Sequence, residues 1–341
     1  MIYALQRGGR ILLADDMGLG KTLQGMFFHL STSYHKMYIL FLKNIQALAI
    51  ASYFKEQWPL LIVCPSSVRF AWRSAVIRWL QSIDEDNIIV VTSAKDPLEQ
   101  AQVVIISYDL LHKKQDELVN EFGSNMAILD ESHLIKSSKS ARTKAAEYVL
   151  RDCRRVILLS GTPALSRPIE LYPQISIIDP KLFPYVTDFA MRYCDGKKVL
   201  LGPNRHRFDF SGSSNMEELK LLMLQRFMIR RLKSEVLSQL PSKQRQMIVL
   251  DPNLVKSKSR EMQTQARQMS NTRSGAERHG LLLEWYHTTA NAKSAAVQDY
   301  IKDLVENGRK FICFAHHNTV IWLISHLLSD RTIEFSFSDV E

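Results

Sequence analysis

A phosphate-binding loop is the clearest chemical feature of the sequence. Residues 13–24 read LADDMGLGKTLQ, between an apolar run that predicts a strand and a pattern that predicts a helix. Gly18 and Gly20 let the backbone curl so that successive N–H groups point towards a phosphate chain. Lys21 has the reach to contact the β- and γ-phosphates, and Thr22 can place its hydroxyl on Mg²⁺. A glycine-rich turn with an incidental lysine is the alternative.

The loop departs from the strict pattern at one position. That pattern begins with glycine, whereas this sequence has Asp15, so the match is to the helicase-type variant. The residues that we expect to surround a bound nucleotide are Asp16, Met17, Gly18, Leu19, Gly20, Lys21 and Thr22.

An acidic pair is the second chemical feature. Asp130 and Glu131 follow the apolar run Met126–Leu129, which predicts a strand. An aspartate at a strand end can hold Mg²⁺ opposite Thr22, and the adjacent glutamate can polarise the water that attacks a phosphate. Two acids in a solvated turn are the alternative. The sequence thus predicts ATP and Mg²⁺ as cofactors, with catalytic roles for Lys21, Asp130 and Glu131.

Two further polar groups are candidates for coupling the nucleotide state to movement. His133 can relay that state to neighbouring strands, and a local hydrogen bond is an equal alternative. Ser160, Gly161 and Thr162 follow the predicted strand Val156–Leu159. Polar residues just past the strand ends line the ligand crevice of a parallel sheet, so we expect a coupling role here. A simple strand-to-turn transition is the alternative.

Apolar runs alternate with helical patterns along the first half of the chain. The predicted strands are Ile11–Ala14, Leu60–Val63, Ile88–Val91, Val103–Ile106, Met126–Leu129 and Val156–Leu159. Residues 68–80, 109–120 and 141–150 predict helices, and the apolar stripe that includes Trp72 predicts a buried face. Continuous apolar strands between helices indicate an α/β fold with a parallel sheet covered on both faces.

Residues 25–45 interrupt this order. They mix aromatic runs with a Ser-Thr-Ser break, whereas residues 46–51 resume as a helix. Gln24 and Gln46 resemble a single position that occurs twice in the chain. If Gln24 were joined directly to Ala47, one short helix would connect the strands on either side, which is the ordinary length of a βαβ unit. We interpret residues 25–45 as an insertion, for example unspliced coding sequence. A long surface excursion is the alternative.

The strand pattern fades after about residue 183. Residues 202–215 predict a polar loop, and Asn215 with Glu218 predicts the start of a helix over 219–227. From Arg226 to Arg278 the sequence has twelve basic and four acidic residues. A solvated helical protrusion and a contact with a nucleic-acid backbone both explain this excess.

Residues 281–341 open a second α/β unit. The sequence predicts a helix over 297–305 that ends at Gly308, a strand over Phe311–Ala315 and a helix over 320–328. This stretch is too short for a doubly wound lobe of ordinary size. We therefore expect the second lobe to be incomplete.

Length and composition set further limits. The chain has 341 residues, enough for two domains, and its net charge of +9 favours an anionic partner, although many basic proteins have none. The four cysteines show no Cys-x-x-Cys spacing, which argues against a zinc site and for a reducing compartment. The sequence has no signal-peptide pattern, and its most apolar run, Met37–Leu42, is far shorter than the roughly 20 residues of a membrane span. We expect a soluble intracellular protein with no membrane partner.

Several segments together resemble the Swi/Snf-type branch of the superfamily II helicase-like ATPases. They are DDMGLGKTLQ (15–24), LLIVCPSSVRFAW (60–72), LDESHLIKSSKSARTKA (129–145), ILLSGTPALSRPIELYPQI (157–175), MIRRLKSEVLSQLP (228–241) and FICFAHH (311–317). DESH, SGTPALSRPIELY and RRLKSEVLSQLP most resemble the annealing-helicase (HARP-like) subgroup. The resemblance covers about residues 9–328 without 25–45, and it implies a DNA-dependent ATPase that rewinds unpaired strands and remodels stalled replication forks.

The resemblance also implies roles and boundaries. Contacts with the DNA backbone would come from Pro65, Ser66, Ser67 and Ser107, the last together with Tyr108. Ser160 and Thr162 would couple hydrolysis to movement, and Arg230 with Arg231 would lie on a helical protrusion. The implied parts are a first RecA-like lobe (1–180), a helical protrusion and linker (181–280) and the start of a truncated second RecA-like lobe (281–341).

Two features of the resembled family are missing from the sequence. One is the glutamine motif, which contacts adenine, and the other is the arginine pair of the second lobe. A comparable arginine raises the rate of phosphoryl transfer by about 10³–10⁵. We therefore expect an ATP-dependent DNA translocase with strand-annealing activity in fork remodelling and DNA repair, with impaired hydrolysis in this chain. A non-catalytic ATP- and DNA-binding fragment is the alternative, and a motor that moves on RNA is a third interpretation.

The resemblance implies partners and a location as well. The DNA would be forked or partly single-stranded, and a single-strand-binding protein or fork factors would bind regions outside this core. The implied location is the nucleus.

Overall fold

The computed structural model describes residues 1–16, 41–164, 166–202, 205–232, 245–251, 253–255, 260–271, 275–309, 311 and 313–328. The chain divides into two compact units, Met1–Leu240 and Pro241–Glu341. The phosphate loop from Met17 to Thr22 and residues 25–40 of the suspected insertion lie outside the described residues. The three-part division at residues 180 and 280 stays a prediction.

A seven-stranded parallel sheet forms the centre of the first unit. Its strands in chain order are β1 Arg10–Leu13, β2 Leu60–Cys64, β3 Ile88–Val90, β4 Val103–Ser107, β5 Met126–Leu129, β6 Arg155–Leu159 and, after an antiparallel hairpin described below, β9 Met228–Ile229. Their spatial order is β3-β4-β2-β5-β6-β1-β9, and every pair is parallel. The predicted α/β fold is confirmed, and the six predicted strands agree with the observed ones to within one residue.

The sheet is buried on both faces. Side chains that alternate along a strand enter two separate apolar clusters: Leu12 and Leu158 belong to one cluster, and Leu13 and Leu159 belong to the other. This alternation explains why the strands read as unbroken apolar runs in the sequence.

Helices cover the two faces of the sheet. In chain order they are α1 Ile2–Gln6, α2 Phe41–Tyr53, α3 Arg69–Trp79, α4 Tyr108–Lys113, α5 Gln115–Glu117, α6 Ala141–Val149, α7 Tyr172–Ile178, α8 Val186–Tyr193 and α9 Met216–Arg226. Residues of α1–α3 pack into the cluster that contains Leu13, whereas residues of α4 and α6–α9 pack into the other. Trp72 on α3 is fully buried, as its apolar stripe predicts.

Helix α2 begins inside the suspected insertion. We expected the helix to resume at Gln46, but it starts at Phe41. The last five residues of the suspected insertion, 41–45, therefore belong to the helix that leads towards β2.

Two features after residue 183 correct the sequence-based expectation. An antiparallel hairpin of β7 Lys197–Gly202 and β8 Arg205–Asp209 occupies part of the predicted polar loop. Strand β9 pairs with β1, and the backbone hydrogen bond from Asp16 N to Arg231 O (3.1 Å) continues this pairing. Arg230 and Arg231 thus run along the sheet edge and not on a helical protrusion, because the unpaired side of β1 offers backbone partners there.

Helix α9 starts where expected but without the expected cap. The side chain of Asn215 donates to Arg192 O at 2.9 Å, and Glu218 pairs with Arg192 at 2.7 Å. The side chains of Asn215 and Glu218, which would form a capping box with the helix backbone, are therefore bonded to Arg192 instead.

The second unit contains three helices among its described residues: α10 Arg260–Asn271, α11 Gly275–Glu306 and α12 Asn318–Leu328. Ile301 of α11 packs with Ile324 and Leu328 of α12. Gly308 ends α11 in a left-handed conformation (φ 62°), as predicted from the sequence.

The predicted strand Phe311–Ala315 is wrong for the residues that can be described. Residues 311 and 313–315 have no strand assignment. An apolar run forms a strand only where a neighbouring strand supplies hydrogen bonds. In the described residues of this unit the elements are helices. None of the helices described in either unit has the length and apolarity of a membrane span.

Candidate functional site

The carboxyl ends of three neighbouring strands bring the predicted site residues to one edge of the sheet. Strands β5, β6 and β1 are adjacent in that order, so the segments after Leu129, Leu159 and Leu13 leave the sheet side by side. The backbone N–H of Ser160 donates to Leu13 O at 3.0 Å, which joins the ends of β6 and β1 directly. This edge is where parallel sheets bind ligands.

Asp130 is held by groups from three elements. Its Oδ2 accepts a hydrogen bond from Trp72 Nε1 at 3.0 Å, and its Oδ1 accepts one from Glu131 N at 2.9 Å. Its carbonyl oxygen accepts from the hydroxyl of Tyr108 at 2.7 Å. Burial, and then the charge of Asp130, raises the pKa of Tyr108 well above its usual value, so this hydroxyl keeps its proton and remains a donor.

Glu131 has a strained backbone next to this carboxylate. Its φ of 48° and ψ of 51° lie in the left-handed region, which is unusual for a residue with a side chain. Its Oε2 lies 3.2 Å from Nδ1 of His133, and its side chain is about one-third exposed (37%). Strain of this kind costs about 1–3 kcal/mol and tends to occur at functional sites.

His133 joins the segment after β5 to the segment after β6. Its Nδ1 lies 3.2 Å from the hydroxyl oxygen of Ser160. The same oxygen accepts a hydrogen bond from Thr162 N at 3.2 Å, and Gly161 between them is buried. The residues that we predict to couple nucleotide state to movement are therefore in direct contact, whereas the coupling itself stays a prediction.

A second link between these segments was not predicted. The buried hydroxyl of Ser132 donates to Oε1 of Gln174 on α7 at 2.9 Å. Nε2 of Gln174 donates to Pro163 O at 2.7 Å. Gln174 is fully buried and ties the acidic segment to the loop after β6. The available signal was an amide residue within the mostly apolar stretch that follows Tyr172.

The residues expected to contact a DNA backbone differ in accessibility. Ser66 and Ser67 are exposed in a short 3₁₀ turn after β2, and Pro65 is half-buried. Ser107 is only 3% exposed, and its hydroxyl accepts from Leu110 N at the start of α4. The hydroxyl of Ser107 thus caps a helix inside the unit, and a contact between Ser107 and DNA stays a prediction. Tyr108 is buried as well.

The described part of the site suits Mg²⁺. Asp130 and Glu131 offer carboxylate oxygens at a strand end, and these are the donors that Mg²⁺ prefers. Within the described residues there is no cluster of three or more His, Cys, Asp or Glu side chains that could form a protein-only metal cage. Magnesium at nucleotide sites typically binds one or two carboxylates together with phosphates and water, so the carboxylate of Asp130 alone is a sufficient acidic contribution from these residues.

The first unit is an α/β lobe, and its strand-end acids lie at the sheet edge where such lobes bind ligands. A family model described as SNF2-related domain matches residues 2–296. The chain is 44% identical over 336 residues to SWI/SNF-related matrix-associated actin-dependent regulator of chromatin subfamily A-like protein 1 of Xenopus tropicalis, covering 98% of this chain and 33% of that protein. The chain belongs to the SNF2-related family.

Other similar proteins agree with this assignment. DNA annealing helicase and endonuclease ZRANB3 of Homo sapiens is 38% identical, with 94% of this chain and 28% of that protein covered. The Sulfolobus solfataricus SWI2/SNF2 ATPase core in complex with dsDNA has a TM-score of 0.50 and 20% identity, with 96% of this chain and 67% of that chain covered. This likeness shows a shared fold. The chain spans about a third of the length of the first curated relatives that it matches.

Proposed function

We propose that this chain is the motor core of an ATP-dependent DNA translocase with strand-annealing activity. The observation that carries the proposal is the strand-end site in a member of the SNF2-related family, where Glu131, next to Asp130, contacts His133 and His133 contacts Ser160. The role would be the remodelling of replication forks and DNA repair, in the nucleus. The names of the relatives, a regulator of chromatin and a DNA annealing helicase, support this role.

The residues of the site take distinct parts in ATP hydrolysis. Lys21 would bind the β- and γ-phosphates, and Thr22 with Asp130 would hold Mg²⁺. Glu131 would accept the proton of the attacking water, and its contact with His133 would pass the change of charge towards Ser160. When bound, Mg²⁺ would neutralise negative charge on the phosphates.

The DNA partner is supported by charge. The chain carries a net charge of +9, and its basic residues exceed its acidic residues threefold between Arg226 and Arg278. Positive charge of this kind binds nucleic-acid backbones independently of sequence. The exposed hydroxyls of Ser66 and Ser67 are further candidates for contact with DNA that is forked or partly single-stranded. A single-strand-binding protein or other fork factors would bind outside this core.

The test measures ATP hydrolysis without nucleic acid, with forked DNA and with RNA. We expect forked DNA to stimulate hydrolysis above both other conditions, with a low absolute rate. Glu131→Gln and Lys21→Ala should abolish it, and Glu217→Gln, at an exposed position of α9, should leave it unchanged. DNA-stimulated strand annealing in the same variants extends the test to the proposed role.

Three outcomes would contradict the proposal. ATP binding and salt-sensitive DNA binding without turnover would instead support a non-catalytic fragment. Greater stimulation by RNA than by DNA would exclude DNA as the preferred track. Equal hydrolysis in the unaltered chain and in Glu131→Gln would remove the assigned general base.

A further inference from the structure

Asp15 is joined to a residue more than two hundred positions later in the chain. Its Oδ1 accepts hydrogen bonds from the backbone N of Arg231 at 3.0 Å and from Nε of Arg231 at 3.1 Å. The Nη2 of Arg231 also donates to Oδ2. Asp15 is 3% exposed, whereas half of the Arg231 side chain remains exposed (50%).

Backbone hydrogen bonds flank this ion pair on both sides. Ala14 N donates to Ile229 O at 2.7 Å, and Asp16 N donates to Arg231 O at 3.1 Å. The ladder between β1 and β9 therefore extends to the point where the phosphate loop begins. The side chain of Asp15 is fixed within this ladder, so its position depends on the segment 228–231.

The residue type at position 15 is what makes this link possible. The strict phosphate-loop pattern has glycine there, and glycine has no side chain that could accept from Arg231. A carboxylate with both backbone and guanidinium donors forms charge-assisted hydrogen bonds, which are shorter and stronger than neutral ones. In the sequence Asp15 reads as a departure from the pattern, but in the structure it is a buried acceptor.

We propose that Asp15 and Arg231 form a latch that fixes the backbone at residues 14–16, where the chain enters the phosphate loop, and that nucleotide affinity depends on this contact. The inference rests on the proposed function, because it assigns regulation of the same nucleotide site. Lys21 and Thr22 follow Asp15 by only six and seven residues in the sequence, so we expect their binding of nucleotide to respond to this contact. Nucleotide affinity then depends on a segment that lies just before the second unit in the chain.

The affinity for nucleotide tests the latch without the need for turnover. A fluorescent ATP analogue is titrated with Mg²⁺ into the unaltered chain and into Asp15→Gly, which restores the strict pattern, and Arg231→Met. We expect each substitution to raise Kd by about tenfold, as the loss of hydrogen bonds to a charged group implies. The double variant should bind nucleotide no more weakly than either single variant, because each single substitution already removes the same contact between Asp15 and Arg231.

A conservative variant separates positioning from a general effect of charge. Arg231→Lys keeps the charge but cannot form the forked contact, so its Kd should lie between those of the unaltered chain and Arg231→Met. Arg192→Met is the matched control, because it removes another arginine–carboxylate pair, with Glu218, on the surface of the same unit. Its Kd should equal that of the unaltered chain. Circular dichroism and thermal unfolding identify any variant that fails to fold.

The outcomes separate this inference from the proposed function. If the unaltered chain binds no nucleotide, or binds it as Lys21→Ala does, both are overturned. If the unaltered chain binds and folded Asp15→Gly has the same Kd, the latch alone is overturned. Additive losses in the double variant would also overturn it, because they would show that the two residues act separately.

Discussion

The indole Nε1 of Trp72 donates a hydrogen bond to Oδ2 of Asp130 across 3.0 Å. Helix α3 thereby fixes the orientation of the carboxylate that we propose as a ligand of Mg²⁺. Trp72 is fully buried, so its N–H requires an internal partner, and Asp130 supplies it. One side chain thus contributes both to the apolar core and to the arrangement of the site.

The first prediction concerns this contact. Trp72→Phe keeps an aromatic ring in the core but removes the N–H donor to Asp130. Loss of a group that orients a metal ligand typically costs about 10-fold to 100-fold in metal affinity. We expect the Mg²⁺ concentration that half-saturates ATP-analogue binding to rise within that range. Trp79→Phe on the same helix is the control, because Trp79 is partly exposed (38%). Equal Mg²⁺ dependence in both variants would contradict the role of Trp72.

The second prediction concerns the link between Ser132 and Gln174. Gln174→Leu leaves the hydroxyl of Ser132 and the carbonyl of Pro163 without their amide partner, and such losses cost about 1–3 kcal/mol each. Urea unfolding of Ser132→Ala, Gln174→Leu and the double variant should show losses that do not add. Ser138→Ala, at an exposed position, should leave the free energy of unfolding unchanged. Strictly additive losses would mean that the two residues do not interact.

The third prediction concerns alkaline pH. Because burial raises the pKa of Tyr108, an unfolded chain loses this proton first as the pH rises past about 10. The stability contributed by the protonated hydroxyl is therefore present below pH 10 and falls above it. Tyr108→Phe should lower the free energy of unfolding by about 1 kcal/mol near pH 8, through the lost hydrogen bond. We expect this difference to shrink above pH 10.

Urea unfolding at several pH values between 8 and 11 measures this effect. Tyr53→Phe is the control, since Tyr53 is largely exposed (62%). A difference between Tyr108→Phe and the unaltered chain that stays constant up to pH 11 would contradict the assignment.

The fourth prediction concerns the cysteines. Cys64, Cys153 and Cys194 are buried, whereas Cys313 is exposed. Burial raises the pKa of Cys194 to about 11 and also raises the pKa of Cys64 and of Cys153. The thiolate is the reactive form, so a thiol reagent at pH 8 should modify Cys313 rapidly and the others only after unfolding. Rapid modification of Cys313→Ser would show that a buried cysteine becomes accessible in the native chain.

The central sheet could be predicted from the sequence because its strands lie in the interior. Strands such as β4 and β5 are covered on both faces, so that all their residues except Ser107 at the end of β4 are apolar and the runs are unmistakable. The position of Asp130 and Glu131 could be predicted as well, since two acids directly after a buried strand must lie at the carboxyl edge, whereas their catalytic roles stay a prediction. Both inferences depend on local sequence alone.

Contacts between distant segments could not be predicted in this way. Strand β9 has two residues, too few for an alternating or apolar pattern, and only its pairing with β1 defines it. Gln174 and Ser132 each look like ordinary polar residues until the fold brings them together. The hairpin did leave a local signal, because Gly202, Pro203 and Asn204 are residue types that are common in turns.

The pairing of β1 with β9 also sets an order for biosynthesis. Strand β1 is translated more than two hundred residues before β9, which is one of its two neighbours in the sheet. Until β9 has been made, that edge of β1 carries unsatisfied N–H and C=O groups, which attract strands of other chains. A nascent chain of this protein therefore needs protection of that edge over this interval, and a fragment that ends near residue 180 would expose the edge permanently.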